Sequence, residues 1–133
     1  MPELHHYRLF ISHAWEYNAE YYKMVDLLNA APNFIYSNYS VPIHDPVPEA
    51  DLKEQLRQQI RPVEVVIVLA GMYVAYSKWI QFEIDFASLL SKPILGIKPW
   101  GSERVPTEVT LASNEIVGWN TDSIISAVRR LTP

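Results

Sequence analysis

The sequence predicts an α/β fold in which a five-stranded parallel sheet carries helices on both faces. Segments with the apolar spacing of helices alternate along the chain with short segments rich in strand-forming residues. Residues 63–70 form an almost continuously apolar run, which is typical of a parallel strand covered on both faces. The length of 133 residues is that of one domain, so residues 1–133 are expected to form a single unit.

The first half of the chain contains two predicted strand–helix pairs. Residues 7–12 are rich in β-forming side chains and predict the first strand, and residues 34–36 predict a short second strand. Apolar side chains repeat at helical spacing over residues 16–31 and again over residues 51–61. A proline follows each of these segments and ends the helix, because its ring cannot continue one.

The second half begins with the apolar strand at residues 63–70. A helix is predicted over residues 77–91, a buried strand over residues 93–97 and a short last strand over residues 114–118. The stretch Asn120-Thr121-Asp122 predicts the cap of a final helix that runs to about Leu131.

Strands that alternate with helices in this way form a parallel sheet with right-handed crossovers. Five of them predict a flavodoxin-like three-layer sandwich with the strand order 2-1-3-4-5. Such folds bind ligands beyond the carboxyl ends of the strands, where the order reverses between strands 1 and 3. The predicted crevice therefore lies between the loop after Ser12 and the loop after Ala70.

Composition excludes several classes of function. The net charge of −4 and the scattered basic residues argue against a protein that grips nucleic acid. The absence of cysteine excludes disulfides and fits a cytoplasmic setting, and no apolar run is long enough to cross a membrane. No glycine-rich phosphate loop and no metal-ligand spacing is present, and His5 and His6 are expected at a frayed terminus.

Glu83 is the most informative candidate for catalysis. It shares one side of the predicted helix with large apolar residues, namely Trp79, Phe82, Phe86, Leu89 and Leu90. A carboxylate in such a stripe, in about the second turn, is typical of a residue that lines a cleft. The alternative is a surface acid favoured near a helix N-terminus by the macrodipole, but that acid belongs on the polar face.

The residues after the first strand are candidates for substrate binding. Ser12 can hydrogen-bond a ligand, and Trp15 can stack on a base. The alternative is that Ser12 or His13 starts the first helix while Trp15 fills the seam between sheet and helix.

Two further segments supply candidates. His44 and Asp45 stand in the proline-rich loop 41–48, which is either a substrate gate or docking surface, or a stiff connector with exposed polar residues. Ser77 and Trp79 belong to a cluster with Tyr73 and Tyr76 just before Glu83. Such a cluster can wall a planar ring, although aromatic residues in this position more often pack in the core or at its rim.

These residues resemble the motifs of TIR domains. The stretch from Tyr7 to His13 is similar to the first TIR box, and residues 77–83 (Ser-Lys-Trp-Ile-Gln-Phe-Glu) resemble the Ser-x-Trp-x-x-x-Glu motif. The resemblance makes Glu83 the counterpart of the catalytic glutamate of NAD⁺-consuming members, and it places residues 41–48 at the BB loop. The nearest likeness is to the bacterial TIR-like proteins of Thoeris antiphage defence, the ThsB type.

The resemblance implies an enzyme that cleaves the nicotinamide–ribose bond of NAD⁺ and releases a linear, cyclic or conjugated ADP-ribose signal. NAD⁺ is then the substrate, and no cofactor or metal is expected. A homo-oligomeric active form and a separate effector protein reached through the nucleotide signal are the expected partners. The loop lacks the basic and glycine-containing pattern of many signalling TIR domains, and His13 replaces the more usual tyrosine.

Two other functions remain open from the sequence. The chain is either a non-catalytic TIR-like module that builds a homotypic assembly, or a flavodoxin-like domain that binds another nucleotide. The first predicts that Glu83→Gln is silent while changes at Asp45 or Pro46 break assembly. The second predicts nucleotide binding without turnover.

Overall fold

Five parallel strands and five helices alternate in the computed structural model, which describes residues 4–12, 19–40, 49–99 and 104–133. The elements are β1 (His6–Ser12), α1 (Ala19–Asn29), β2 (Ile35–Asn38), α2 (Glu49–Ile60), β3 (Val65–Leu69), α3 (Ala70–Leu89), β4 (Ile94–Ile97), α4 (Thr107–Ala112), β5 (Glu115–Val117) and α5 (Thr121–Leu131).

The strands form one sheet in the order β2-β1-β3-β4-β5, and every neighbouring pair is parallel. The order reverses between β1 and β3, where Ser12 pairs with Val68. Helix α1 contacts α5, whereas α3 contacts both α2 and α4, so the helices form two groups. The predicted flavodoxin-like α/β sandwich with the order 2-1-3-4-5 is confirmed.

The core lies around the three inner strands β1, β3 and β4. Residues 9–11 of β1 and all of Val65–Leu69 have no exposed surface. The apolar run of β3 is therefore explained, because helices and neighbouring strands cover it on all sides. No helix in the described ranges is long and apolar enough to cross a membrane.

Two helices differ from the prediction. Helix α3 begins at Ala70, directly after β3, whereas the sequence predicted a loop up to residue 77. Gly71, a residue that disfavours helix interiors, makes this stretch look like a loop. Helix α4 (Thr107–Ala112) was missed, because six residues that follow a proline are too few for a periodic signal.

The start of α5 follows the predicted capping. Asn120 is the N-cap, and its side-chain oxygen accepts a hydrogen bond from the backbone N–H of Ser123 at 3.0 Å. Replacing Asn120 by Ala is expected to lower the free energy of unfolding by about 1 kcal/mol, because that N–H loses its acceptor. Urea denaturation measures the loss. Ser123→Ala keeps the backbone donor and is the control, so an equal loss in both proteins contradicts the cap.

Candidate active site

Glu83 lies on the inner face of α3. Its neighbours on that face are Ile80, Ile84 and Ala87, which are 0–2% exposed, and Glu83 itself has no exposed surface. In the described part of the chain it is the only carboxylate with none. Burying a carboxylate among aliphatic side chains is costly, so its place inside the core indicates a role other than solubility.

The position of Glu83 along α3 also differs from the prediction. It is the fourteenth residue of the helix, about 20 Å from the first residue at a rise of 1.5 Å per residue. The expectation of the second turn was wrong, because the helix begins earlier than predicted. The field of a helix N-terminus falls off within the first turn. A surface acid held by the macrodipole therefore does not account for Glu83.

The predicted apolar stripe around Glu83 was partly wrong. Trp79, Phe82 and Phe86 are only partly buried at the rim of the core, and Leu89 and Leu90 are 77% and 37% exposed. Slimmer aliphatic side chains occupy the side next to the sheet, and the aromatic rings cover its edge.

Ser12 ends β1 at the point where the strand order reverses. It has no exposed surface, and its hydroxyl oxygen has no hydrogen-bond partner among the residues that the structure describes. Buried hydroxyl groups normally make hydrogen bonds, so this hydroxyl is suited to form one with a ligand or with the residues that follow β1. The geometry is compatible with the role predicted for Ser12.

Other predicted site residues have simpler surroundings or fall outside the description. Trp79 packs partly against the core, and the Lys78 ammonium lies 5.3 Å from the centre of its ring. Ser77 belongs to α3, but its side chain is not among those described. The predictions for the remaining residues lie outside the described residues: His13, Trp15, His44 and Asp45.

Tyr73, which the sequence grouped with the ring-walling aromatics, is tied along α3. Its phenol donates a hydrogen bond to Gln81 Oε1 at 2.7 Å, and the Gln81 amide donates to Asp85 at 2.8 Å. Burial raises the pKa of the Tyr73 phenol, and the carboxylates of Glu108 and Asp85 raise it further. These contacts orient Tyr73 along α3, towards the side where α4 packs.

Glu20 is a residue of this region that sequence reasoning missed. It is partly buried in the first turn of α1, and its carboxylate lies against Gly71 in the first turn of α3. A Cβ added at Gly71 would lie 2.5 Å from Glu20 Oε1. The positive end of a helix favours a carboxylate there, and only glycine permits so close an approach. No local pattern marks Glu20, because its partner is distant in sequence.

The contact between Glu20 and Gly71 makes a testable prediction. Gly71→Ala is expected to stabilise α3 through helix propensity, but less in the wild-type background than in Glu20→Ala, because the new methyl group displaces the carboxylate. Urea denaturation of the four proteins is expected to give a coupling of about 0.5 kcal/mol or more. Additive effects would show that Glu20 does not stabilise α3 through this contact.

Side-chain contacts hold the two histidines near the N-terminus, at the end of the sheet where β1 and β3 begin. The expectation that His5 and His6 lie in a frayed terminus was therefore wrong. His5 Nε2 lies 2.8 Å from the largely buried carboxylate of Glu64. This carboxylate also accepts a hydrogen bond from the backbone N–H of Arg8. His6 Nε2 lies 2.6 Å from the Ser37 hydroxyl oxygen. Within the described ranges no cluster of three or more His, Asp or Glu residues can hold a metal.

Comparison with protein families decides the relationship that the motifs suggested. The model of the Thoeris protein ThsB, TIR-like domain, matches residues 10–104, which include Ser12 and Glu83. The chain belongs to this TIR-like family. The match covers more than half of the chain and runs from β1 through β4, so the central sheet and the Glu83 helix are ThsB-like. Membership of this family supports a context of Thoeris antiphage defence. A search of curated proteins finds no match.

Proposed function

We propose that this ThsB-type TIR-like chain cleaves NAD⁺ at the bond between nicotinamide and ribose. It releases nicotinamide and an ADP-ribose product that serves as a second messenger in antiphage defence. The observation that carries the proposal is Glu83, a carboxylate without exposed surface on the inner face of α3. The match to a TIR-like family supports it, because the resemblance to NAD⁺-consuming TIR domains implies this reaction.

The reaction suits a site with one carboxylate. As the C–N bond breaks, its electron pair moves to the pyridinium ring, and the ribose C1 gains oxocarbenium character as in glycoside cleavage. The Glu83 carboxylate would hold the ribose hydroxyls and stabilise this positive charge. Nicotinamide leaves as a neutral molecule, so no general acid is required. Water then attacks C1 and loses a proton, which gives linear ADP-ribose, whereas attack by a hydroxyl group elsewhere in the same ADP-ribosyl unit, with loss of that hydroxyl's proton, gives cyclic ADP-ribose.

The other residues predicted from the sequence would bind the rest of the substrate. The buried hydroxyl of Ser12 lies at the strand end where α/β folds bind ligands. Trp79 and Trp15 would wall the planar rings, while Ser77 and His13 would add polar contacts. His44 and Asp45 would act from the segment that follows β2 in the sequence.

The burial of Glu83 implies a closed state. With no exposed surface, its carboxylate cannot reach a ribose in this conformation. Catalysis therefore requires that the side chains covering it move apart. A homo-oligomeric active form is part of the proposal, because assembly can stabilise the open state. The product would act on a separate effector protein.

The same burial favours one competing function, a non-catalytic TIR-like assembly module in which Glu83 is structural. Incubation with NAD⁺ at a series of protein concentrations, with mass spectrometry of the products, separates the two. The proposal expects nicotinamide together with a linear, cyclic or conjugated ADP-ribose, and more product per protein molecule at high concentration. Intact NAD⁺ at every concentration, with an assembled protein, supports the module. NAD⁺ that binds without turnover supports a nucleotide-binding domain.

A further inference from the structure

A shallow apolar groove lies between α2 and α3. It encloses about 250 Å³ and is lined by Arg57, Phe82, Asp85, Phe86 and Leu89. The two phenylalanine rings are partly buried, but Leu89 is 77% exposed. Two aromatic rings next to a largely exposed leucine form an apolar surface. Covering this surface with another apolar side chain is favourable, because it removes apolar area from water.

The α2 side of the groove is positively charged. The Lys53 ammonium and the Arg57 guanidinium lie 5.7 and 5.4 Å from the centre of the Phe82 ring, and Arg61 lies 5.8 Å from that of Phe86. Glu54 balances part of this charge, at 3.3 Å from Arg57 and 3.9 Å from Arg61, and Asp85 of α3 lines the groove with a second carboxylate, so three basic groups face two acidic ones. Since the whole chain has a net charge of −4, the groove reverses the prevailing sign. An apolar side chain next to a carboxylate matches it.

The chain presents that combination on α4. Leu111 is 81% exposed, and Glu108 is exposed one turn earlier on the same side of the helix. Val109 is buried and faces the core, which turns Leu111 outwards. Helix α3 contacts both α2 and α4, so these three helices form one layer. The groove lies on one side of α3, and the pair Leu111 and Glu108 lies on the other.

We propose that this helical layer docks onto a second copy of the chain, with Leu111 of each copy in the groove of the other and Glu108 beside Arg57. The groove and the Leu111 side of α4 lie on the same helical layer, so two copies related by a two-fold axis can form both contacts at once, as an isologous dimer requires. Reciprocal contacts also double the buried area towards the roughly 800 Å² per partner of a stable interface. The surface uses the outer side of α3, whereas Glu83 lies on the inner side, so assembly and chemistry can fail separately.

Charge reversal tests the proposal with pure protein in sedimentation-velocity experiments over a range of concentrations. The wild-type chain is expected to dimerise. Arg57→Glu and Glu108→Arg are each expected to weaken self-association about tenfold or more, because like charges then face each other twice. An equimolar mixture of the two variants is expected to dimerise again, because both contacts of the mixed dimer pair opposite charges.

Two controls complete the test. Lys23→Glu reverses an exposed charge on α1, in the other helical layer, and is expected to leave dimerisation unchanged. Leu111→Ser removes the apolar side chain that enters the groove and is expected to abolish dimerisation. A wild-type chain that stays monomeric, a mixture that fails to dimerise, or a Leu111→Ser protein that dimerises as well as wild type would each overturn the proposal.

Discussion

Replacing Glu83 by Gln is expected to lower the rate of nicotinamide release from NAD⁺ by about 100-fold or more while the protein stays folded. The amide keeps the size of the side chain but removes the negative charge that stabilises the ribose cation. Since Glu83 lies wholly within the core, an isosteric change leaves its packing in place. Initial rates of nicotinamide release at equal concentrations of folded protein measure the effect.

A matched control is available on α1. Asp26 is exposed, so Asp26→Asn removes one carboxylate from the other side of the sheet without touching the core. Its turnover is expected to remain within about twofold of wild type. If Glu83→Gln and Asp26→Asn released nicotinamide equally fast, Glu83 would have no catalytic role. Far-ultraviolet circular dichroism and thermal melts separate that result from unfolding.

Truncating Phe10 to Ala is expected to lower the free energy of unfolding by about 3–5 kcal/mol. Phe10 is among the largest side chains with no exposed surface, and it lies in β1 between β2 and β3. The lost ring leaves a cavity that the surrounding strands fill only in part. For a domain of this length the melting temperature is expected to fall by roughly 10–20 °C.

Tyr22→Ala is the comparison for Phe10, because Tyr22 is 51% exposed on α1 and its removal opens no cavity. Its effect is expected to stay below about 1 kcal/mol. Phe10→Ala is expected to lose stability and turnover together, whereas Glu83→Gln loses turnover alone. A Phe10→Ala protein as stable as wild type would contradict the placement of the core around β1 and β3.

The fold was predictable because its strongest signals are local. The apolar run of β3 identifies a doubly covered strand, and the alternation of elements then leaves few possible sheet orders. The start of α3 was not predictable, since Gly71 looks like a loop residue and serves instead to admit the Glu20 carboxylate. That contact joins residues about 50 positions apart, and no local pattern contains it.

The candidate site was predictable in part. The sequence placed Glu83 on the apolar side of its helix, and its burial agrees with that, but the expected position lining a cleft differs from the structure, in which Glu83 has no exposed surface. The aromatic neighbours assigned to that side all lie at the rim, because periodicity tells only that side chains share a face and not which of them reaches the sheet. The groove next to them could not be predicted, since it depends on how α2 packs on α3.

The central claim is that Glu83 holds the ribose next to nicotinamide. A crystal structure of the Glu83→Gln protein with NAD⁺ tests it most directly, because slow turnover leaves the substrate intact. The account predicts a ribose hydroxyl at about 2.6–3.2 Å from the side chain at position 83, with the residues that cover it moved apart. NAD⁺ bound with its ribose elsewhere, and position 83 still closed off from the substrate, would contradict the account.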